Sequence, residues 1–142
     1  MKKELKIIQP AKATEMAVHM SQNLVKAGFP SPAEDYSDIK LDLNKELIKN
    51  PSATFFARVS GESMTGDGID NGDLIIIDRS VTPADGSLAV CYLDGEFTLK
   101  RVTIEADAIT LIPSNFKYKP IKVTAENEFL IWGIVKYVIK KV

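Results

Sequence analysis

The chain has 142 residues, of which 45% are hydrophobic and 26% charged, and its formal net charge is −1. These values predict a soluble globular protein of about one domain, and every apolar run is far shorter than the roughly 18 residues that a membrane-spanning helix needs. One cysteine, Cys91, and one histidine, His19, exclude an intramolecular disulfide and a Cys/His zinc site built within one chain. A histidine-dependent serine or cysteine protease would have to use His19.

The charge is distributed unevenly along the chain. Five lysines against two glutamates give residues 1–27 a net charge of +3, whereas 13 basic against 17 acidic residues give residues 28–142 a net charge of −4. Three interpretations of the basic tail stay open: it is a solvated mobile terminus, it contacts nucleic acid, or it docks on the acidic body or on a partner. No apolar core follows the basic start, so we expect no secretory signal.

Two short helices are predicted in the first third of the chain. The apolar spacing within residues 14–26 favours a weak helix. Glycine, prolines and acidic residues in the segment 28–38 end that helix and indicate a linker. A second helix is predicted at residues 41–49, with Asp42 or Asn44 as its N-cap.

After Pro51 the pattern becomes that of a β protein. The dipeptide Asp94-Gly95 predicts a two-residue hairpin turn, and Gly133 predicts a bend in a long last strand. Short strands at such close spacing indicate a mainly β domain of roughly 90 residues. The strands are predicted at residues 53–60, 74–78, 87–93, 96–102, 108–113 and 129–140.

The loop between the first two of these strands, residues 60–73, holds four of the eight glycines in the chain. Glycines allow left-handed turns and a close approach of the backbone to a ligand. The aspartates of the loop lack EF-hand spacing, which disfavours a calcium site. Ser63 lies in this loop, and from the loop alone it is either an ordinary turn serine or a reactive group.

A serine nucleophile needs a base, and Lys100 is the candidate because His19 lies outside the β region. Period-two alternation places Thr98 and Lys100 on one face of their strand and Phe97 and Leu99 on the other. A lysine base has to be neutral, which requires burial in an apolar cleft. The competing interpretation is that Lys100 is a solvated strand lysine.

Three motifs occur in the order of a known family. They are Ala27-Gly28, Gly61-Glu62-Ser63-Met64 and Asp94-Gly95-Glu96-Phe97-Thr98-Leu99-Lys100. With these motifs the chain closely resembles, from about residue 25 onwards, the UmuD branch of the LexA/UmuD-type self-cleaving serine–lysine peptidases. One departure is an alanine where that branch has a cysteine before the glycine.

The resemblance implies a LexA/signal-peptidase-like β-strand domain with a flexible N-terminal tail. It implies a cleavable tail at residues 1–27, a linker with a short helix at 28–50 and a β-rich peptidase-like domain at 51–142. No metal and no other cofactor is expected.

The resemblance also implies the site residues. Ser63 is the nucleophile that attacks the carbonyl of Ala27. Neutral Lys100 is the general base and then protonates the leaving amine of Gly28. The backbone N–H groups of Glu62 and Ser63 form the oxyanion hole, although the sequence does not identify these amides by itself.

Proteins of this branch act in the SOS response, which implies a set of partners. These are a second copy of the chain in a homodimer, a UmuC-like Y-family DNA polymerase, the RecA–single-stranded DNA filament as activator, and the polymerase sliding clamp as a further candidate. Cleavage would yield the active accessory subunit of an error-prone translesion polymerase. We expect a cytoplasmic protein with no membrane contact. Only 27 residues precede the expected cut, too few for the DNA-binding domain of a repressor, so we expect no sequence-specific DNA binding.

Two alternatives of other classes remain. The first is a signal-peptidase-like serine–lysine protease that cleaves other proteins in trans. The second is a non-catalytic dimeric binding module whose serine and lysine are not used. Cys91 is expected to be a small buried side chain rather than a reactive thiol.

Overall fold

The computed structural model describes residues 5–8, 17–20 and 39–142. The described residues divide into two compact units, one formed by residues 5–8 with 50–142 and the other by residues 17–20 with 39–49. The predicted cleavage dipeptide, Ala27-Gly28, lies outside the described residues. The helix α1 (Leu43–Leu47) follows the third strand. The strands are β1 (Leu5–Ile8), β2 (Ala17–Met20), β3 (Ile39–Asp42), β4 (Thr54–Val59), β5 (Leu74–Asp78), β6 (Leu88–Leu93), β7 (Glu96–Ile104), β8 (Ile109–Ile112), β9 (Ile121–Lys122) and β10 (Phe129–Ile139).

In the smaller unit, β2 and β3 form an antiparallel pair in which Ala17 lies opposite Asp42 and Met20 opposite Ile39. The helix predicted at residues 14–26 is therefore wrong where the chain is described. Its weak local periodicity is overridden by backbone pairing with a segment about 20 residues further along the chain, which a helical pattern cannot reveal.

The helix α1 is shorter than the one predicted at residues 41–49, because residues 41 and 42 belong to β3. Its N-cap is Asp42, one of the two predicted caps, and the Asp42 carboxylate accepts a hydrogen bond of 3.0 Å from the Asn44 N–H. No helix in the described part of the chain has the length and hydropathy to cross a bilayer.

The larger unit is one eight-stranded antiparallel sheet in the order β1-β4-β5-β10-β6-β7-β8-β9. The predicted mainly β fold is confirmed, and each strand predicted after Pro51 is present within two residues of its expected bounds. The predicted hairpin turn also forms, since Leu93 pairs with Glu96 and both turn residues have positive φ, 47° at Asp94 and 91° at Gly95.

The apolar faces of the strands form two buried clusters. The larger cluster draws on β1, β4, β5, β6 and β7 and on the loop 60–73, so strands far apart in the sheet order meet across one core. Its buried members are Leu5, Ala57, Val59, Met64, Ile69, Ile75, Ile77, Val90 and Leu99. The smaller cluster consists of Ala89, Cys91, Val102, Leu111 and Ile134.

Gly133 permits a close approach inside β10. The pairing of β10 with β6 shifts register between Ile131 and Gly133, at the position where the sequence predicted a bend. A Cβ atom at Gly133 would lie only 2.5 Å from Cγ2 of the fully buried Ile77. A side chain is therefore excluded at this point by packing rather than by backbone conformation.

Replacing Gly133 by alanine should lower the free energy of unfolding by about 1–3 kcal/mol, because the added methyl group overpacks the core beside Ile77. Urea unfolding followed by circular dichroism measures the change. The control is Val138→Ala at a partly exposed position of the same strand, which should cost less. Equal stability of Gly133→Ala and the wild type would show that the core relaxes around the methyl group.

Candidate active site

Ser63 lies in a loop whose two ends are joined by backbone hydrogen bonds. The Val59 N–H donates to the Asp73 carbonyl at 2.8 Å, and the Gly72 N–H donates to the Val59 carbonyl at 2.7 Å. Within the loop, Met64 is 2% exposed and packs in the larger core cluster, which anchors the residue next to Ser63. The serine itself is 7% exposed, so it is not an ordinary surface turn serine.

Lys100 lies on β7, where it pairs with Ala89 of β6. Its neighbours Leu99 and Phe97 both contact the larger core cluster, which confirms that these two share a face. Lys100 is only 4% exposed. The interpretation as a solvated strand lysine is therefore excluded.

The structure brings Ser63 and Lys100 together although they are 37 residues apart in the sequence. Nζ of Lys100 lies 3.1 Å from Oγ of Ser63. The same nitrogen lies 2.7 Å from Oγ1 of Thr98 and 3.1 Å from the Leu99 carbonyl oxygen. This arrangement holds a buried amine within proton-transfer distance of a serine hydroxyl.

A cavity of about 250 Å³ lies beside Lys100. Thr98 and Lys100 line one part of it, and Tyr118 and Ile121 line another. An extended segment of chain that entered this cavity would bring a peptide bond close to Lys100. The resemblance seen in the sequence assigns the N–H groups of Glu62 and Ser63 to an oxyanion hole, and no hydrogen bond within the described residues uses either of them.

Among the described residues, three ion pairs, formed by two basic residues, connect the loop 60–73 to the sheet and to the segment after it. Nζ of Lys140, beyond the end of β10, lies 2.6 Å from a carboxylate oxygen of Asp70 and 2.6 Å from one of Asp73. Elsewhere on the loop, a guanidinium nitrogen of Arg101 lies 3.1 Å from a carboxylate oxygen of Asp67. Both side chains are partly exposed, so this pair contributes little to the free energy of folding. Asp73 is the buried acidic member of these pairs.

Asp73 is ionised in a buried position. Burial alone would raise the pKa of its carboxyl, but the hydrogen bond from Lys140, the Asp70 N–H and the Lys140 charge together lower that pKa below its ordinary value of 3.8. Burial raises the pKa of the Cys91 thiol to about 12, although Lys100 acts in the opposite direction when its amine is protonated. Cys91 is buried, as predicted, and is not a thiolate at neutral pH.

Sequence reasoning missed two residues that contact the nucleophile loop, Ser114 and Asn115. The Ser114 N–H donates to the Ser63 carbonyl, and the Asn115 side-chain amide donates to the Glu62 carbonyl, both at 2.8 Å. The only sequence signal was a polar turn after β8, which does not indicate what the turn contacts. His19 lies on β2, and its side chain is outside the described residues.

The sequence is similar to a known protein family and to several named proteins. The model of a family described as Peptidase S24-like matches residues 19–136. Protein ImpA of Salmonella typhimurium is 42% identical over 117 residues, which are 82% of this chain and 79% of ImpA. Protein MucA of Escherichia coli is 40% identical over 114 residues, 80% of this chain and 77% of MucA. LexA repressor 1 of Xanthomonas campestris pv. campestris is 40% identical over 111 residues, 78% of this chain and 54% of the repressor.

The ionised carboxylate of Asp73 makes the free energy of unfolding depend on pH in the acidic range. Because its pKa is lower in the folded than in the unfolded chain, its stabilisation is complete above the ordinary value of 3.8 and is lost as the pH falls through the lower, folded pKa. We expect the unfolding free energy of the wild type to fall in this range and that of Asp73→Asn to fall less steeply. Chemical denaturation at a series of pH values measures both slopes.

The control for this comparison is Asp107→Asn, a change at an exposed loop position. That variant should keep the wild-type slope. If Asp73→Asn also kept it, the ion pair with Lys140 would not be the source of the acid sensitivity.

Proposed function

Because the chain belongs to the Peptidase S24-like family, we propose that it is a serine endopeptidase that cleaves its own chain with Ser63 as nucleophile and Lys100 as base. The observation that carries the proposal is the buried contact of 3.1 Å between Nζ of Lys100 and Oγ of Ser63. Membership of a peptidase family supports the use of this contact for catalysis rather than for structure alone.

The proposed reaction uses the amine of Lys100 and the hydroxyl of Ser63, which lie in contact. Neutral Lys100 accepts the Ser63 hydroxyl proton while Oγ forms a bond to the carbonyl carbon of Ala27. The tetrahedral intermediate then expels the nitrogen of Gly28, which takes the proton from the Lys100 ammonium, and an ester on Ser63 remains. A water molecule, deprotonated by Lys100, hydrolyses the ester and releases the Ala27 carboxylate.

Nζ of Lys100 has further polar neighbours besides Oγ of Ser63, among them Oγ1 of Thr98 and the Leu99 carbonyl, and these contacts orient the amine beside the serine hydroxyl. The negative charge of the intermediate would be stabilised by the backbone N–H groups of Glu62 and Ser63.

The proposed substrate is the Ala27-Gly28 bond of this chain or of a second copy. Both residues are small, so the bond can enter a narrow site, and Pro30 and Pro32 favour an extended backbone on one side of it. Cleavage would separate a tail of residues 1–27 from a linker at 28–50 and a peptidase-like domain at 51–142.

The proposed biological role is SOS mutagenesis. The resemblance to the UmuD branch supports this role, and so does the identity of 42% to ImpA and 40% to MucA. In this role the chain acts in the cytoplasm as a homodimer, and a RecA–single-stranded DNA filament stimulates its cleavage. The shortened form then serves a UmuC-like Y-family polymerase, with the sliding clamp as a further partner.

Removing either member of the dyad should abolish self-cleavage and leave the fold intact. We expect Ser63→Ala and Lys100→Ala to remain uncut, whereas the wild type yields fragments that end at Ala27 and start at Gly28. The wild-type rate should rise with pH, because only the neutral amine of Lys100 accepts a proton. Mass spectrometry after incubation at alkaline pH, or with an activated RecA filament, identifies the products.

The control is Lys136→Ala, which removes an exposed strand lysine that does not line the cavity and should leave cleavage unchanged. Undiminished cleavage in Ser63→Ala, or cuts at another bond, would overturn the assignment. Turnover of added peptides with Ala27-Gly28 intact would favour a protease that acts in trans. An unchanged mass under both conditions would favour a binding module.

A further inference from the structure

The turn after β8, residues 113–115, contacts the peptide groups on both sides of Ser63. The side-chain amide of Asn115 donates to the Glu62 carbonyl at 2.8 Å, which fixes the peptide group that precedes Ser63. The backbone N–H of Ser114 donates to the Ser63 carbonyl at 2.8 Å, which fixes the peptide group that follows it. The nucleophile therefore lies between two peptide planes held by one external segment.

The nucleophile loop in turn donates hydrogen bonds to the same segment. The Gly66 N–H donates to the Ser114 carbonyl at 2.6 Å, and the Asp67 N–H donates to Oγ of Ser114 at 2.9 Å. A Cβ atom at Gly66 would overlap the Ser114 carbonyl oxygen, so only glycine permits this approach. The nucleophile loop and the turn after β8 therefore donate hydrogen bonds to each other, and Ser114 occupies the space that a side chain at position 66 would fill.

Because a peptide group is planar, the hydrogen bond to the Glu62 carbonyl also fixes the direction of the Ser63 N–H. The carbonyl of Glu62 and the N–H of Ser63 belong to one trans peptide group and point in opposite directions. A hydrogen bond that holds the Glu62 carbonyl toward Asn115 consequently directs the Ser63 N–H away from Asn115. This N–H makes no hydrogen bond within the described residues, so it remains available to a ligand.

We propose that Asn115 is a positioning residue for self-cleavage, which directs the N–H of Ser63 at the oxyanion through its hydrogen bond to the Glu62 carbonyl. The proposal rests on the proposed function and deepens it. The orientation of the Asn115 amide is itself fixed, because its Oδ1 accepts a hydrogen bond of 3.0 Å from the Lys117 N–H. The amide nitrogen is thereby directed toward the nucleophile loop.

Asparagine is required at position 115 because both ends of its side chain are used. An aspartate there would keep the acceptor for the Lys117 N–H but would lose the donor to Glu62. Asn115→Asp therefore removes the proposed function of the side chain with little change in its shape. Asn115→Ala removes both contacts without adding a charge.

The test compares self-cleavage of the full chain across alkaline pH in the wild type, Asn115→Asp and Asn115→Ala. We expect both variants to reach a plateau rate about tenfold or more below that of the wild type, since a misdirected oxyanion donor stabilises the intermediate poorly. In Asn115→Ala the pH midpoint of the rate should not move, because that midpoint reports the base rather than the oxyanion donor. Wild-type rates in both variants would overturn the proposal.

Two measurements separate positioning from a loss of folding. Asn127→Ala is the matched control, because Asn127 also donates its side-chain amide across a turn, to Asp94, and does not contact Ser63. It should leave cleavage unchanged. The second readout is the amide resonance of Ser63 in the ¹H–¹⁵N spectrum, which should shift in Asn115→Asp while the spectrum remains that of a folded protein.

The two readouts also distinguish the failure of this proposal from the failure of the proposed function. A wild-type chain that does not cleave itself would overturn the proposed function, and the Ser63 resonance would still report whether Asn115 directs its amide. A resonance unchanged by Asn115→Asp would overturn the positioning role even in a cleaving protein.

Discussion

The site depends on one buried contact, between Nζ of Lys100 and Oγ of Ser63. A lysine side chain is costly to bury unless its polar head finds partners, and here the head lies within hydrogen-bond distance of Ser63, Thr98 and the Leu99 carbonyl. The rest of the larger unit keeps these atoms together. Leu99 and Met64, the apolar neighbours of the two polar residues, pack in the same core cluster, so hydrophobic burial holds the loop against the strand.

The topology of the sheet explains how residues so far apart in sequence meet. The last strand, β10, lies between β5 and β6 and joins the β4–β5 pair to the β6–β7 hairpin in one sheet. The loop that carries Ser63 connects β4 to β5, whereas Lys100 lies in β7. The pairing of β10 with β6 shifts register between Ile131 and Gly133. The packing of Gly133 therefore affects how the β4–β5 pair is aligned with the β6–β7 hairpin.

The nucleophile loop is fixed by polar contacts at three places. Lys140 pairs with Asp73 at the base of the loop, Asn115 holds the Glu62 carbonyl, and Ser114 holds the Ser63 carbonyl. These contacts come from segments after β8 and β10, which close around the loop only in the folded chain. A loop with four glycines is flexible by itself, and its order therefore comes from elsewhere in the fold.

The sequence by itself determined the mainly β fold and the Asp94-Gly95 hairpin, because strand alternation and turn chemistry are local properties. Ser63 and Lys100 became the candidate site through the motifs that resemble a known family. The sequence did not determine β2, which pairs with a distant strand, nor the state of Lys100, for which alternation allowed a solvated position. Only the tertiary structure decided that Lys100 is buried against Ser63 and that Ser114 and Asn115 hold the loop. These are long-range contacts between segments whose own patterns carry no information about each other.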